Sequence, residues 1–551
     1  MGSFSIISFI GFTALVAFIA WWATRGTNEK SADGFYLGGR TLGAVTIAGS
    51  LLLTNLSAEQ IVGLNGQAFT EGILVMAWET LAAIALVLTA VVLLPKYMKG
   101  GITTIPQFIE SRFDAQTKSI LSILFLFAYG LVLLPTILYS GSLAFSSMFD
   151  LPSLLGVSQQ ATIYLCVWSI GIIGSIYAIF GGLKAVAVSD LINAVGLLVG
   201  GILIPYFGLK LVGDGSIGEG INVLWENHPD KFELQGEVDS SIPFGTIFTG
   251  MILAQVYYWG TNQSILQRVF GAKSLKEGQK GVMLAALVKF LIPVIVVLPG
   301  VIAWHVFKGD LTNPDLAYPE LVRKVLPPSL LGFFAAVLFG AVLSSFNSLL
   351  NSSATLFGFD LYKQFFKKDA TEEQTVKAGK AFGLCLALVS LLIAPFIASA
   401  PDGLFAYIQE SLGSLSVPIL AVVVIGIYTR RVPAFAAKIV LTVGVLMYLV
   451  SQFVVSPMMV DSALAEAATN GITDPKALSI IKAEAYPHFL HIMGILFVFN
   501  VGFMLLMGKL KPQTHEYKEL VTDEIDTTPW KYALLTGAII TVMVLSTYFI
   551  F

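Results

Sequence analysis

Long apolar runs recur from one end of the chain to the other, and they limit its fold more than any other feature. A bilayer core of roughly 30 Å is crossed by about 20 apolar residues in an α-helix. Candidate spans lie near residues 4–24, 42–70, 73–98, 119–148, 161–180, 185–211, 244–265, 277–307, 328–362, 378–398, 403–428, 434–455, 488–507 and 530–551. Charged residues make up 12% of the 551 residues, whereas about 25% is usual in soluble domains. The sequence therefore predicts an all-α membrane protein with 14 transmembrane helices and excludes a soluble globule.

Two pairs of neighbouring spans are separated by very short divisions. Only Thr70, Glu71 and Gly72 separate the second span from the third, and Gly181 and Gly182 separate the fifth from the sixth. These are the two weakest divisions between the predicted spans, and the chain is expected to turn at both places.

Lysine and arginine collect on alternate sides of the predicted spans. Of 32 such residues, 24 fall in one set of loops, seven fall in the other, and Lys289 lies inside a span. Cytoplasmic loops carry the excess of positive charge in membrane proteins. The alternation predicts a multi-pass protein of the cell membrane, inner or plasma, with both termini outside the cytoplasm. The longer outer segments, 212–243 and 456–487, are expected to be surface loops with short helices.

Composition excludes several other classes of protein. The formal net charge is −3, so no strongly basic field is present to hold a nucleic acid. Cys166 and Cys385 lie inside apolar runs, and the five histidines show no ligand spacing. These patterns predict neither a disulfide framework nor a transition-metal site. We also find no nucleophile–base constellation and predict that the protein is not an enzyme.

Five charged residues fall away from the ends of predicted spans, and a charge at mid-membrane costs about 2.5–3.5 kcal/mol on insertion scales. They are Glu59, Glu79, Asp190, Lys289 and Glu410. One interpretation is an internal ion pair between Glu79 and Lys289 that holds two helices together. The other is that both side chains line a polar cavity and hydrogen-bond a hydrophilic solute. The two interpretations are compatible.

Polar runs interrupt the second and the seventh span. The second contains TNLSAEQ at 54–60 and the seventh contains YYWGTNQ at 257–263, where Gln255, Tyr258 and Asn262 share one helix face. Local unwinding would free backbone carbonyls that could coordinate a cation, although a kinked, continuous helix is the alternative for the second span. Two interruptions five spans apart suggest two five-helix units of opposite topology with a substrate site between them.

The ninth and eleventh spans carry further polar positions. Ala341, Ser344, Ser345, Ser348 and Ser352 form a small-residue stripe on the ninth span. Such a stripe is typical of a close helix contact, but its hydroxyls could also help to form an oxygen-only site for Na⁺. The eleventh span places Phe405 four residues before Gln409, an apolar ring beside a hydrogen-bonding amide.

Ordered motifs between about residues 30 and 455 resemble the solute:sodium symporter family, and most closely its bacterial sodium–glucose/galactose cotransporter branch. The motifs are TNLSAEQ at 54–60, TTIPQFIESRF at 103–113, GGLKAV followed by Asp190, YYWGTNQ at 257–263, AKSLKEGQKG at 272–281 and SSFNSLLNSSATLF at 344–357. The resemblance implies a leucine-transporter-type 5+5 inverted-repeat core with additional peripheral helices. The expected division is 1–41 for a peripheral helix and inner loop, 42–211 for the first repeat, 212–243 for an outer loop, 244–428 for the second repeat and 429–551 for peripheral C-terminal helices.

The resemblance also implies residue roles, matched motif to motif. Sodium is expected at Leu53, Leu56, Ala341, Ser344 and Ser345, with Asp190 on the ion exit path. Substrate is expected at Gln60, Glu79, Gln255, Tyr258, Lys289 and Gln409. Tyr258 is the expected inner gate, and Leu64, Trp78 and Phe405 form the expected outer gate. Asn55 and Asn262 are expected to support the two helix breaks.

Three positions depart from the galactose pattern, because Leu133, Gln255 and Ala82 replace two asparagines and a small hydroxyl residue. The sequence thus predicts a sodium-coupled symporter that imports a sugar or sugar-like neutral solute, such as a polyol, by alternating access, with Na⁺ as the co-transported ion and no organic cofactor. The alternative is a sodium symporter for a carboxylate, sialic acid, proline or pantothenate. A channel or a sensor is a further alternative, without a continuous polar stripe or a soluble output domain to favour it.

Overall fold

The computed structural model describes residues 3–25, 32–180, 183–311, 313–399, 404–518, 521 and 525–550. Over these residues the protein is helical, and extended pairing is limited to two isolated bridges, Leu42 with Ala272 and Ser274 with Asp526. The expectation of an all-α protein is confirmed. The expected turn at Gly181 and Gly182 lies outside the described residues.

The first part of the chain contains twelve α-helices. They are α1 (Ser3–Thr24), α2 (Ala32–Tyr36), α3 (Ala44–Asn55), α4 (Ala58–Glu71), α5 (Ala77–Leu88), α6 (Leu94–Lys99), α7 (Ile105–Arg112), α8 (Ala115–Phe127), α9 (Leu134–Met148), α10 (Leu151–Leu155), α11 (Gln159–Phe180) and α12 (Leu183–Val212). Short π-helical segments, Thr89–Leu93 and Ala128–Leu133, join α5 to α6 and α8 to α9.

The rest of the chain adds sixteen α-helices. They are α13 (Ile217–Asn227), α14 (Gly250–Gly260), α15 (Gln263–Phe270), α16 (Leu275–Leu291), α17 (Pro293–Val296), α18 (Leu298–Phe307), α19 (Ala317–Val325), α20 (Pro328–Thr355), α21 (Glu372–Ile393), α22 (Leu404–Tyr428), α23 (Ala434–Ile439), α24 (Val445–Val450), α25 (Ser456–Thr469), α26 (Pro475–Ala485), α27 (Phe489–Leu510) and α28 (Ala533–Ile550). The π-helical segment Leu356–Phe366 extends α20.

Nine continuous helical segments of the described chain are long and apolar enough to cross a membrane. A tenth is the bent pair Leu275–Leu291 and Pro293–Phe307, with an angle of 47° between its parts. Shorter apolar helices cover Ile7–Ala23, Ala44–Asn55 and Ala533–Tyr548. A multi-pass helical membrane protein is therefore established, and the count of 14 stays a prediction.

One of these segments, Ala58–Lys99, has 42 residues, about twice the length that one crossing needs. The chain changes direction inside it at Gly72, where φ is +80°. A Cβ atom at this position would lie 2.3 Å from the carbonyl oxygen of Lys231. Only glycine fits both the backbone conformation and the close approach. Gly72 thus makes the turn that the sequence predicted between the second and third spans.

Side chains at the N-terminal ends of several helices cap their first turns. The hydroxyl of Thr104 accepts from the backbone N–H of Gln107 at 3.2 Å, which starts α7. Asp114 does the same for α8, and Ser274 does so for α16. Such caps satisfy N–H groups that a helix leaves without partners. These caps fix the residues at which α7, α8 and α16 begin.

The broken pair α3 and α4 packs at the centre of the molecule. Helix α3 contacts α12, α16 and α20, whereas α4 contacts α9, α18 and α22. Helix α5 packs on α14 and α16. The residues at the break between α3 and α4 are therefore surrounded by the helices that carry the other polar side chains.

Candidate functional site

The first helix break falls inside the TNLSAEQ motif. Helix α3 ends at Asn55, the backbone of Ser57 is extended with φ −92° and ψ −177°, and α4 begins at Ala58. The break leaves carbonyl groups at the end of α3 without helical partners. The hydroxyl of Ser345 on α20 donates to one of them, the carbonyl of Thr54, at 3.0 Å.

The second break separates α14 from α15. Asn262 caps α15, and its Oδ1 accepts from the backbone N–H of Ser264 at 3.0 Å and from the hydroxyl of Tyr129 at 2.7 Å. Asn55 has a different role, since its Oδ1 accepts a hydrogen bond from the ammonium group of Lys289. Both predicted interruptions are present, and an asparagine side chain is bonded beside each.

A buried ion pair joins α16 to α5. The ammonium of Lys289 contacts Oε2 of Glu79, and each side chain is 1% exposed. The other carboxylate oxygen of Glu79 accepts from Nε2 of Gln60 at 2.5 Å. A buried charge is costly unless it is paired and hydrogen-bonded. With Asn55 as a further acceptor for Lys289, the pair meets both conditions.

A central cavity of about 60 Å³ surrounds this ion pair. Its lining comprises Asn55, Glu59, Gln60, Trp78, Glu79, Ala82, Leu133, Ala254, Gln255, Tyr258, Trp259, Lys289, Phe405, Ile408, Gln409 and Leu412. All six predicted substrate residues are among them. Two of the replacements noted in the sequence, Leu133 and Ala82, contribute to an apolar wall.

Trp259 is a cavity residue that sequence reasoning missed. Its Nε1 donates to Oε1 of Gln255 at 3.2 Å, and the ammonium of Lys289 lies 5.4 Å from its ring centroid. Nε2 of Gln255 donates to the carbonyl of Trp78 at 2.7 Å. Both ends of the Gln255 amide are therefore engaged by the protein. The position of Trp259 beside Tyr258 in YYWGTNQ was the available signal.

Two aromatic rings separate this cavity from a larger vestibule of about 770 Å³. Trp78 and Phe405 pack edge to face with their ring centroids 5.4 Å apart, and both line both spaces. Gln409 also lines both spaces. Leu64, the third predicted outer-gate residue, is buried on α4 but lines neither space.

The five predicted sodium positions lie on α3 and α20 and at the break after α3. Leu53, Leu56 and Ala341 are fully or nearly fully buried, as are Ser344 and Ser345. The hydroxyl of Ser345 is 3.5 Å from the carbonyl oxygen of Leu53. Hydroxyl and carbonyl oxygens of this kind suit a small hard cation. No cluster of three or more His, Cys, Asp or Glu residues that could hold a metal ion was found in the described part of the chain.

Asp190 and Arg268 form a polar region next to these serines. Oδ2 of Asp190 on α12 accepts from the hydroxyl of Ser50 on α3 at 2.6 Å. Arg268 donates to the hydroxyl of Ser348 and to the carbonyl of Ser264. The sequence placed Arg268 in an inner loop, but it is fully buried on α15. Because α15 begins directly after Asn262, Arg268 belongs to a buried helix and not to a loop.

Comparisons with known proteins give the family. The profile of the sodium:solute symporter family matches residues 35–444. An uncharacterized symporter of Escherichia coli (strain K12), YidK, is 42% identical over 531 residues, which cover 96% of this chain and 88% of the relative. A sodium/glucose cotransporter of Vibrio parahaemolyticus is 32% identical over 461 residues, which cover 79% of this chain and 82% of the relative.

A solved structure shows the same fold. A Na⁺-coupled sialic acid symporter in an outward-open state superposes with a TM-score of 0.70 at 20% sequence identity, over 91% of this chain and 98% of that one. At this identity the likeness concerns the fold alone. By its profile match and its close relatives, this chain belongs to the sodium:solute symporter family, and it is a sodium-coupled membrane symporter.

Proposed function

We propose that this symporter imports a neutral, hydroxyl-rich solute of the sugar or polyol class together with Na⁺. The observation that carries the proposal is the buried pair of Glu79 and Lys289 inside a cavity that also contains Gln60, Gln255 and Gln409. This set offers a carboxylate acceptor, an ammonium donor and three amides that can do either. Sugar hydroxyls both donate and accept, so the set matches them.

The hydrogen bonds of Glu79 and Lys289 determine which contacts a solute replaces when it binds. Gln60 bonds Glu79, and Lys289 bonds Asn55 as well as Glu79. A solute hydroxyl replaces each of these bonds, so Glu79, Lys289 and their neighbours keep hydrogen-bond partners. A solute that lacked the hydroxyls would leave such groups unpaired, which costs about 1–3 kcal/mol for each. The polar exchange therefore supplies specificity, and the rings of Tyr258 and Trp259 cover the solute.

Charge in the cavity favours a neutral cargo over an organic acid. Glu59 and Glu79 are the acids in the lining, whereas Lys289 is its sole basic residue among those described. A carboxylate cargo would meet the field of these acids and would compete with Glu79 for Lys289. The glucose cotransporter among the relatives supports the same class of cargo.

Sodium joins the broken helix to the ninth span. An ion held between carbonyls of α3 and the hydroxyls of Ser344 and Ser345 fixes α3 against α20, and so fixes the first residues of α4 that face the solute. Inward movement of one Na⁺ across 100 mV is worth about 2.3 kcal/mol. Residues 42–211 and 244–428 form the two inverted repeats that rock around this site, and both termini lie outside the cytoplasm.

Uptake into proteoliposomes tests the proposal. Purified protein with an inward Na⁺ gradient is offered labelled neutral hexoses, polyols and organic acids in parallel, with K⁺ in place of Na⁺ as the control. We expect Na⁺-dependent accumulation of at least one neutral hydroxylated solute, and thermal stabilisation by that solute in Na⁺, because a ligand stabilises the state it binds. Accumulation of organic acids alone would contradict the proposal and favour the carboxylate alternative.

A further inference from the structure

Glu59 is a second acidic side chain in the central cavity, and it is not among the predicted substrate, gate or sodium residues. It belongs to the first turn of α4, immediately after the helix break at Ser57. It lines the same cavity as Glu79 and Lys289. The two acids therefore reach one small space from two different elements, α4 and α5.

The bonding of the two acids is different. Both oxygens of Glu79 have partners, Lys289 and Gln60. Oε2 of Glu59 is buried and has no hydrogen-bond partner among the described residues. Over the residues that the structure describes, no basic group lies within 4.0 Å of it. Oε2 is thus a buried acceptor without a donor, on a side chain that lines the cavity.

The position of Glu59 at the start of α4 favours an acidic side chain. The N-terminus of a helix carries a partial positive charge that favours an acidic side chain in the first turn. Such a terminus compensates the charge only in part, and a buried acceptor without a donor still costs free energy. A solute that brings an O–H or N–H group to Oε2 removes this cost. A solute that brings a carboxylate adds repulsion.

We propose that Glu59 is a further solute-binding residue, which accepts a hydrogen bond from the cargo and makes the cavity reject anionic solutes. The inference rests on the proposed function and adds the source of its charge selectivity. Glu79 contributes less to rejection, because Lys289 balances its charge.

The test compares two probes of nearly the same shape that differ in charge, glucuronamide and glucuronate. Each competes with Na⁺-dependent uptake of the best neutral solute by proteoliposomes. In the wild-type protein the amide is expected to inhibit at a concentration at least about tenfold lower than the acid. In Glu59→Gln this ratio is expected to fall about tenfold and KM for the neutral solute to rise, because a charge-assisted hydrogen bond is replaced by a weaker one.

Glu71→Gln is the matched control. It makes the same chemical change on the same helix, but Glu71 lines the outer vestibule and not the central cavity. We expect it to keep the wild-type ratio. An unchanged ratio and KM in Glu59→Gln would overturn the assignment of Glu59. Failure of both probes and of every neutral solute in the wild-type protein would instead contradict the proposed function.

Glu59→Asp covers the case in which Glu59→Gln does not fold. The shorter side chain keeps the charge but moves it away from the solute by one methylene group. We expect KM for the neutral solute to rise about fivefold or more, because the acceptor oxygen is farther from the solute. The ratio between the two probes should be retained, because the charge is kept. Loss of the ratio with an unchanged KM in this variant would overturn the inference.

Discussion

At the scale of single residues, the pair of Glu79 and Lys289 shows how a membrane protein can keep two charges away from water and use them. Both are buried, and each has a further polar partner. Removal of one member of a buried pair is costly, because the other charge is left without compensation. Stability and transport therefore respond differently to single and double substitution.

Lys289→Met is expected to abolish uptake and to lower the free energy of unfolding by about 3–5 kcal/mol. The double variant Glu79→Gln with Lys289→Met removes both charges and should recover most of the stability without recovering uptake. Thermal unfolding in detergent and Na⁺-dependent uptake measure the two effects. A double variant as unstable as the single one would show that the pair acts through packing and not through charge.

Ser345→Ala is expected to raise the Na⁺ concentration for half-maximal uptake by about tenfold, because one oxygen ligand is lost. Ser353→Ala is the control on the same helix, since the Ser353 hydroxyl donates only to the carbonyl of Leu349 within α20. It should leave Na⁺ activation unchanged. Normal activation in Ser345→Ala would remove Ser345 from the ion site.

At the scale of secondary-structure elements, the sequence indicates the broken helices because a polar run inside an apolar span is unfavourable in a helix that faces lipid. Both breaks occur within the motifs that predicted them. The sequence alone does not show which side chains from distant parts of the chain contact each other. Asn55 and Lys289 are 234 residues apart and bond directly, and Arg268 is buried although it follows a span. Such pairings follow from the packing of whole helices.

Helix α7 is a short inner element whose position depends on Arg112. The guanidinium donates to the carbonyl of Gly426 near the end of α22 and to that of Val432 in the following loop. It also packs on the ring of Tyr517. Burial lowers the pKa of Arg112 to about 10, so the side chain is still charged near neutral pH. Arg112 thereby connects α7 to α22, the helix that carries Gln409.

Arg112→Lys should lower the free energy of unfolding by about 1–3 kcal/mol, because lysine cannot reproduce several fork-shaped bonds. Arg431→Lys is the control, since Arg431 forms an exposed pair with Glu516 and such pairs are worth about 0–1 kcal/mol. Thermal unfolding of both variants at one detergent concentration gives the comparison. Equal losses would contradict the bracing role of Arg112.

At the scale of the whole molecule, the vestibule and the central cavity are neighbouring spaces that share lining residues. The vestibule narrows to the contact of Trp78 with Phe405 and continues below it as the central cavity. Elsewhere in the molecule, the backbone of Leu42 bonds the backbones of Gly271 and Lys273, and the side chain of Gln263 accepts from the backbone N–H of Ile105. These bonds hold distant parts of the chain together, whereas one pair of aromatic rings separates the two spaces.

The side of the membrane to which the vestibule opens is predicted by the loop charges. The vestibule is lined by residues 238–241 and by Ser479, Lys482, Ala483, Tyr486 and Pro487. These residues belong to the loops poor in lysine and arginine, so the vestibule should open to the outside. In a background with Cys166→Ala and Cys385→Ala, Ser240→Cys should react with an impermeant maleimide on intact cells, and Lys367→Cys only after permeabilisation. If Lys367→Cys reacts first, the membrane orientation is inverted. If both react equally, a span between them has been miscounted, and the alternation of charge that predicts 14 helices fails at that point.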